Sequence, residues 1–279
     1  MVDTSIDFDH PCAGDGMKSR TVCTRRGADV RVLEFGDATA EPLVFLHGVM
    51  GLLEDHRFLE RLGERWHVLA PELPGYGASR GEELLEDMLD FTLHGWDVLD
   101  ALEVQKPTIV GHSLGGMIAA EMACLAPRQV ERLVLIDPFG VWLDAQPVPD
   151  LFALLPFELG DLLFHEAKAA ARLLPGLTDL ADEDALRQFA VDMTRELGTA
   201  GKLLFPIPNR RLSKRLYRVT TPSLIVWAED DRLMPAAHYA ARWQSLLPTA
   251  QRAIIPEAGH MLPYEQPIAL AEAVAKFIL

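Results

Sequence analysis

Apolar positions along the chain fall into two kinds of run. Short continuous runs at Pro42-Leu43-Val44-Phe45-Leu46-His47, His67-Val68-Leu69-Ala70, Thr108-Ile109-Val110, Val130 to Ile136, Pro222 to Trp227 and Arg252 to Ile255 predict strands buried on both faces. Between them, Leu53 to Gly63, Glu82 to Leu102, Leu114 to Ala126, Pro235 to Leu247 and Pro267 to Leu279 carry the spacing of helices. Two further strand-like stretches, Ser19 to Arg25 and Asp29 to Phe35, flank Gly27 as a hairpin would. Strands alternating with helices imply an α/β protein with a mostly parallel, doubly wound sheet. The rhythm stops over 138–217, where Phe139, Trp142, Leu143, Leu151, Phe152 and Leu163 stand among scattered prolines and no strand is evident. The chain therefore divides into a core of 1–137 and 218–279 and a helical insertion of 138–217, with 1–19 expected as a mobile lead-in.

One junction is abrupt. In Ile109-Val110-Gly111-His112-Ser113-Leu114-Gly115-Gly116 a strand ends at a serine and a helix follows at once. A turn made within one residue forces strained angles on it, and small neighbours relieve the crowding. Ser113 is thus expected to stand exposed at a sharp corner, the G-x-S-x-G nucleophile elbow in its strand-turn-helix context. A serine between glycines is also a common plain turn, so the functional reading depends on partners elsewhere.

Composition narrows the classes. The net charge of −15 argues against nucleic acid and anionic membrane surfaces as partners. Cys12, Cys23 and Cys124 are odd in number and lack C-x-x-C spacing, so neither a disulfide framework nor a zinc site is suggested, and no metal or cofactor is expected. The acidic start lacks a basic-then-apolar signal and no apolar run reaches spanning length, which gives a cytoplasmic location and no membrane insertion as the default. Gly16-Met17-Lys18-Ser19 resembles the tail of a phosphate loop but lacks that motif's earlier glycine and strand. Oligomeric state is left open.

A serine hydroxyl needs a base within hydrogen-bond reach and a carboxylate to orient that base. Two late loops carry them: Glu229-Asp230-Asp231-Arg232-Leu233-Met234-Pro235 and Pro256-Glu257-Ala258-Gly259-His260-Met261. The order Ser113, Asp231, His260 is that expected of strand-end loops on such a sheet. Asp230 competes for the acid position, and so does Asp137, which ends the strand after the elbow helix. With these blocks, and with His47-Gly48 and Leu73-Pro74-Gly75-Tyr76-Gly77, the chain resembles the α/β-hydrolase superfamily in its form with a helical cap, from about residue 20 onward. Ala228 departs from the glycine usual in the G-x-x-D-x-x-x-P pattern that places Asp231. The resemblance implies an oxyanion hole made by the Val49 and Leu114 amides, with His47 shaping the loop and His112 packing beside the elbow.

The expected reaction is two-step acyl transfer on a carboxylic ester of a small to medium apolar substrate, with Gly48, His112, Phe139 and Trp142 as candidates to contact it. Carbon-carbon bond hydrolysis of ring-cleavage products is the alternative, although Met261 stands where that group often has tryptophan. Perhydrolase, acyltransferase or non-catalytic receptor roles rank below it. Arg210, Arg211, Lys214, Arg215 and Arg218 form a basic cluster, read either as a solvated helix face or as a site for a substrate carboxylate.

Overall fold

The short apolar runs become the strands of one sheet. In the computed structural model, which describes residues 17–174 and 183–279, these are β1 (Lys18–Cys23), β2 (Asp29–Phe35), β3 (Pro42–Leu46), β4 (His67–Pro71), β5 (Thr108–His112), β6 (Arg132–Ile136), β7 (Ser223–Ala228) and β8 (Gln251–Ile255). Their order is β1-β2-β4-β3-β5-β6-β7-β8. β1 and β2 pair antiparallel, β2 joins β4 antiparallel, and every later pairing is parallel. The lead-in expected over 1–19 falls mostly on residues 1–16, outside the described residues, whereas Lys18 and Ser19 pair with β2.

Because successive strand residues face opposite ways, each central strand feeds two cores. Leu43, Phe45, Val110, Val134 and Ile136 meet α1 (Arg57–Gly63) and the C-terminal helix Pro267–Ile278 on one face. Val44, Leu46, Ile109, Leu133 and Leu135 meet α2 (Met88–Ala101) and α3 (Leu114–Leu125) on the other. All of α3 except Leu125 is buried, which explains why Glu121 is its one charged residue.

The helix expected over Glu82 to Leu102 is shorter. Glu82–Leu84 forms a separate 3-10 turn, and the Asp87 carboxylate accepts the Leu89 and Asp90 N–H groups at 2.8 and 3.1 Å, starting α2 at Met88. The apolar spacing of Leu84, Leu85 and Met88 hides this cap. The helix expected from Leu53 likewise begins only at Arg57.

Between β6 and β7 the described residues hold α4 (Pro156–Leu163), α5 (Ala167–Leu173), α6 (Glu183–Leu204) and two 3-10 turns, and no strand. The helices α7 (Ala236–Leu246), α8 (Leu262–Glu265) and α9 (Pro267–Ile278) complete the chain. Three members of the basic cluster fit neither sequence reading. Arg215 forks onto Glu121 of α3, Arg218 Nε donates to the Cys124 carbonyl at 2.6 Å, and Arg210 donates to the Phe205 carbonyl at 2.9 Å. Arg215 and Arg218 tie this end of the chain to α3, whereas Arg210 braces the end of α6 within the insertion. Among the described residues no helix is long and apolar enough to cross a membrane.

Candidate active site

The parallel strands deliver their following loops to one edge of the sheet, so Gly48, Ser113, Asp137, Asp231 and His260 gather although they are far apart in sequence. Ser113 sits between β5 and α3 at φ 55° and ψ −114°, a strained conformation for a side-chain-bearing residue. It persists because both flanks are packed: a Cβ at Gly111 would run into the Gly115 carbonyl oxygen and one at Gly115 into the Leu46 carbonyl oxygen, while the Gly115 N–H donates to His47 O at 3.0 Å.

Ser113 Oγ lies 2.8 Å from His260 Nε2, and His260 Nδ1 lies 2.9 Å from Asp231 Oδ2. With Nδ1–H donating to the carboxylate, Nε2 is left to accept the serine proton. Asp231 Oδ1 accepts the Leu233 and Met234 N–H groups, each at 2.9 Å, which fixes its plane. Asp137 is not brought to the imidazole. Its Oδ1 accepts the Ala228 N–H at 2.9 Å and, among the described residues, its Oδ2 meets no donor; burial, then the charge of Asp231, hold its carboxyl well above the usual range. It sits beside Asp231, and its surroundings favour the neutral form.

Two other histidines are locked in the neutral form. His47 Nδ1–H donates to Gly48 O at 2.8 Å and its Nε2 accepts the Leu73 N–H at 3.0 Å, while burial lowers its pKa. Burial and the neighbouring His260 lower the pKa of His112 to about 3, and its Nε2–H donates to the His260 carbonyl at 2.8 Å. Its other nitrogen leaves no room beside it, since a Cβ at Gly48 would stand 2.8 Å from His112 Nδ1 and 3.0 Å from Ser113 Cβ. Among the described residues neither the Val49 nor the Leu114 N–H meets a protein acceptor.

The site faces a narrow apolar space walled by Val49, Met50, Phe139, Leu233 and Met261 from the core side and by Leu151, Leu159, Leu163 and Leu197 from the insertion. Ser113 is therefore 1% exposed rather than presented to solvent as the elbow alone suggests: the insertion roofs it. Phe139 and His112 line this space; Gly48 does not, although a Cβ there would stand 3.0 Å from Ser113 Cβ. Trp142 does not line it; it packs against the same core, with its indole N–H donating to Asp144 Oδ1 at 2.9 Å.

Residues outside the expected site hold the insertion in place. Arg232, next to Asp231, donates to the carbonyls of Asp161 at 2.7 Å and Phe164 at 3.1 Å, at the end of α4 where a cation is favoured. Glu265 accepts the Gly259 N–H and the His165 N–H, both at 2.8 Å, and so joins the histidine loop to the insertion. On α6, Glu196 lies against Gly51 and Tyr76, and burial pushes its carboxyl up to about 8, aided by Asp192 and Glu72 and opposed by Arg195. Among the described residues no three His, Cys, Asp or Glu side chains converge as a metal site requires.

A family model described as the alpha/beta hydrolase fold matches residues 41–267, taking in β3 through the start of α9 with every loop named above. The chain belongs to the alpha/beta hydrolase fold family. Among relatives of this hydrolase-fold chain is the dihydrolipoyllysine-residue acetyltransferase component of the acetoin cleaving system of Cupriavidus necator, 30% identical over 81% of this chain. The chain spans 60% of that protein's length. It is also similar to a 2-hydroxy-6-oxononadienedioate/2-hydroxy-6-oxononatrienedioate hydrolase of Cupriavidus pinatubonensis, at 27% identity over 86% of this chain and 88% of that one. Among solved structures, a bacterial membrane phospholipase A superposes with a TM-score of 0.79 at 26% identity, covering 94% of this chain and 86% of the other.

Proposed function

We propose that this protein is a serine hydrolase that cleaves carboxylic esters of small to medium apolar substrates. The observation that carries the reading is the unbroken path from Ser113 Oγ through the His260 ring to Asp231, at 2.8 and 2.9 Å, set on a strained serine. His260 Nε2 takes the Ser113 proton as Oγ bonds to the ester carbonyl carbon. The oxyanion lies between the Val49 and Leu114 amides, whose lack of protein acceptors suits them to that task; one such donor contributes roughly 3–4 kcal/mol. The imidazolium passes its proton to the departing alcohol. Water, deprotonated by His260, then attacks the acyl group and restores Ser113. Asp231 orients the imidazole and balances its charge. The helical insertion acts as the cap that excludes bulk water and supplies apolar contact to the substrate.

Cleavage of a carbon-carbon bond in a vinylogous diketone by the same residues is the second reading, favoured by the relative that hydrolyses such an oxo-acid. Both are tested by a panel of p-nitrophenyl alkanoates and a vinylogous diketone offered to the wild type and to Ser113→Ala. Ester turnover that disappears in the variant supports the first reading, diketone turnover without ester turnover supports the second, and ester turnover that survives intact in the variant overturns the assignment of Ser113.

A further inference from the structure

Both loops that carry the acid and the base end against the same piece of the insertion, the end of α4 and the turn after it at 161–165. Each neighbour of Asp231 meets it. Arg232 spreads its guanidinium over the Asp161, Phe164 and His165 carbonyls at 2.7, 3.1 and 3.4 Å, and Asp230 Oδ2 lies 3.0 Å from His165 Nδ1. Each neighbour of His260 meets it as well. The Met261 N–H donates to the Leu163 carbonyl at 3.0 Å, and Gly259 packs so close that a Cβ there would stand 2.7 Å from the His165 backbone nitrogen. Glu265 adds a cross-tie by accepting both the Gly259 and the His165 N–H. Among the described residues, the last backbone bond between the two loops themselves runs from the Asp230 N–H to the Ala258 carbonyl at 3.0 Å. Beyond it, the tips carrying Asp231 and His260 are joined by their own side chains and by 161–165.

We propose that residues 161–165 are a positioning element of the catalytic apparatus, with Arg232 as the positioning residue that sets Asp231 against the His260 ring. This role rests on the serine-hydrolase reading above and deepens it. The Leu233 and Met234 N–H groups fix the Asp231 carboxylate within its own loop, whereas Arg232 fixes that loop against the one that carries His260. A helix end leaves carbonyls without intrahelical donors and carries partial negative charge, and a forked cation can meet several of them at once. A fork held at three carbonyls cannot shift without moving the residue beside it, which is Asp231. A catalytic constellation keeps its productive geometry only within about 0.5 Å and 10–20°. Leu163 links the brace to the substrate side: its side chain lines the space at Ser113 while its carbonyl holds the histidine loop. One segment therefore both covers Ser113 and aligns its base. Arg232 is itself exposed, so replacing it opens no cavity in the core.

The test is a double-mutant cycle on the capture of Ser113 by a fluorophosphonate, a readout that needs no ester substrate. Arg232→Gln should lower the second-order capture rate by about tenfold or more, with circular dichroism reporting a folded chain. In an Asp231→Asn background, where the aligned pair is already lost, the same change should cost less than about twofold. An equal cost in both backgrounds marks a merely structural contribution, and no cost in the wild-type background removes the role; either result overturns it. Arg232→Lys, which reaches one carbonyl at a time, should fall between the two, and it carries the same comparison if the glutamine variant does not fold. With p-nitrophenyl acetate, too small to lean on the insertion, Arg232→Gln should lower kcat and leave KM within about twofold. A raised KM with kcat intact would make Arg232 a support for substrate cover alone and refute the alignment. Failure of the ester reading shows separately, as capture of Ser113 without turnover of any ester, and the cycle still decides. A wild type that is not captured overturns both.

Discussion

Glu196 sets stability against pH in a direction opposite to most surface carboxylates. It lies on α6 with Asp192 and Arg195 beside it, and the core presents Glu72, Tyr76, Tyr264 and the Gly51 backbone to it. Burial moves its carboxyl from an ordinary 4.5 to about 8. Below pH 4.5 the folded and unfolded chains both hold the proton, and Glu196 contributes no pH dependence. Between there and pH 8 the unfolded chain has released it while the folded chain keeps it, so the folded state binds more protons and stability falls as pH rises. Above pH 8 both are ionised and the full penalty applies. A carboxyl moved that far costs the folded chain about 5 kcal/mol once ionised, trimmed to about 2–4 kcal/mol by the water its side chain still meets. Glu196→Gln, nearly the same shape and unable to ionise, removes the penalty. Urea unfolding of both proteins from pH 4.5 to 9, followed by circular dichroism and tryptophan fluorescence, gives the difference, in which other titrating groups cancel. The variant should match the wild type at the acid end and exceed it by about 2–4 kcal/mol at pH 9. Curves that stay parallel across that range would refute a buried, proton-holding Glu196.

The remaining predictions concern the site and its supports. Asp231→Asn presents the imidazole with the wrong donor pattern and should lower kcat for ester cleavage by about 10³–10⁴-fold, whereas Asp137→Asn, isosteric with a carboxyl that favours the neutral form, should stay within about threefold; the reverse pattern would move the acid role to Asp137. Glu265→Ala frees the Gly259 and His165 N–H groups and should destabilise by about 3 kcal/mol, with a fall in kcat as the histidine loop loosens, seen in paired urea and kinetic measurements. Gly115→Ala forces a methyl into the Leu46 carbonyl and should destabilise by about 3 kcal/mol or more; a thermal midpoint equal to wild type would contradict the close packing behind the strained serine.

How far the sequence reaches can be followed element by element. The strands of the parallel core are visible because each is a closed apolar run, and burial on both faces leaves no other solution for Leu43 to Leu46 or Ile109 and Val110. The start of α2 is not, because Asp87 caps it by a side-chain bond that apolar spacing does not encode. Ser113, Asp231 and His260 are legible as loop residues in a set order, and the structure brings these three together. Its roofed state is not legible, since burial of Ser113 comes from Leu151, Leu159, Leu163 and Leu197 folding back from a segment without strong local pattern. Trp142 illustrates the same gap: its composition suits a substrate wall, yet it packs against the core without lining the space at Ser113. Arg232 and Glu196 look like ordinary surface charges until tertiary packing places one on the end of α4 and the other against Tyr76.

Covalent capture tests most directly whether Ser113 is a nucleophile activated by His260. Folded wild-type protein treated with a fluorophosphonate should gain one adduct in intact-mass analysis, mapped by peptide sequencing to the fragment carrying Ser113. Labelling should vanish in Ser113→Ala and slow by about 10³-fold or more in His260→Ala. A folded wild type that takes no label, or takes it on another residue, would contradict the account.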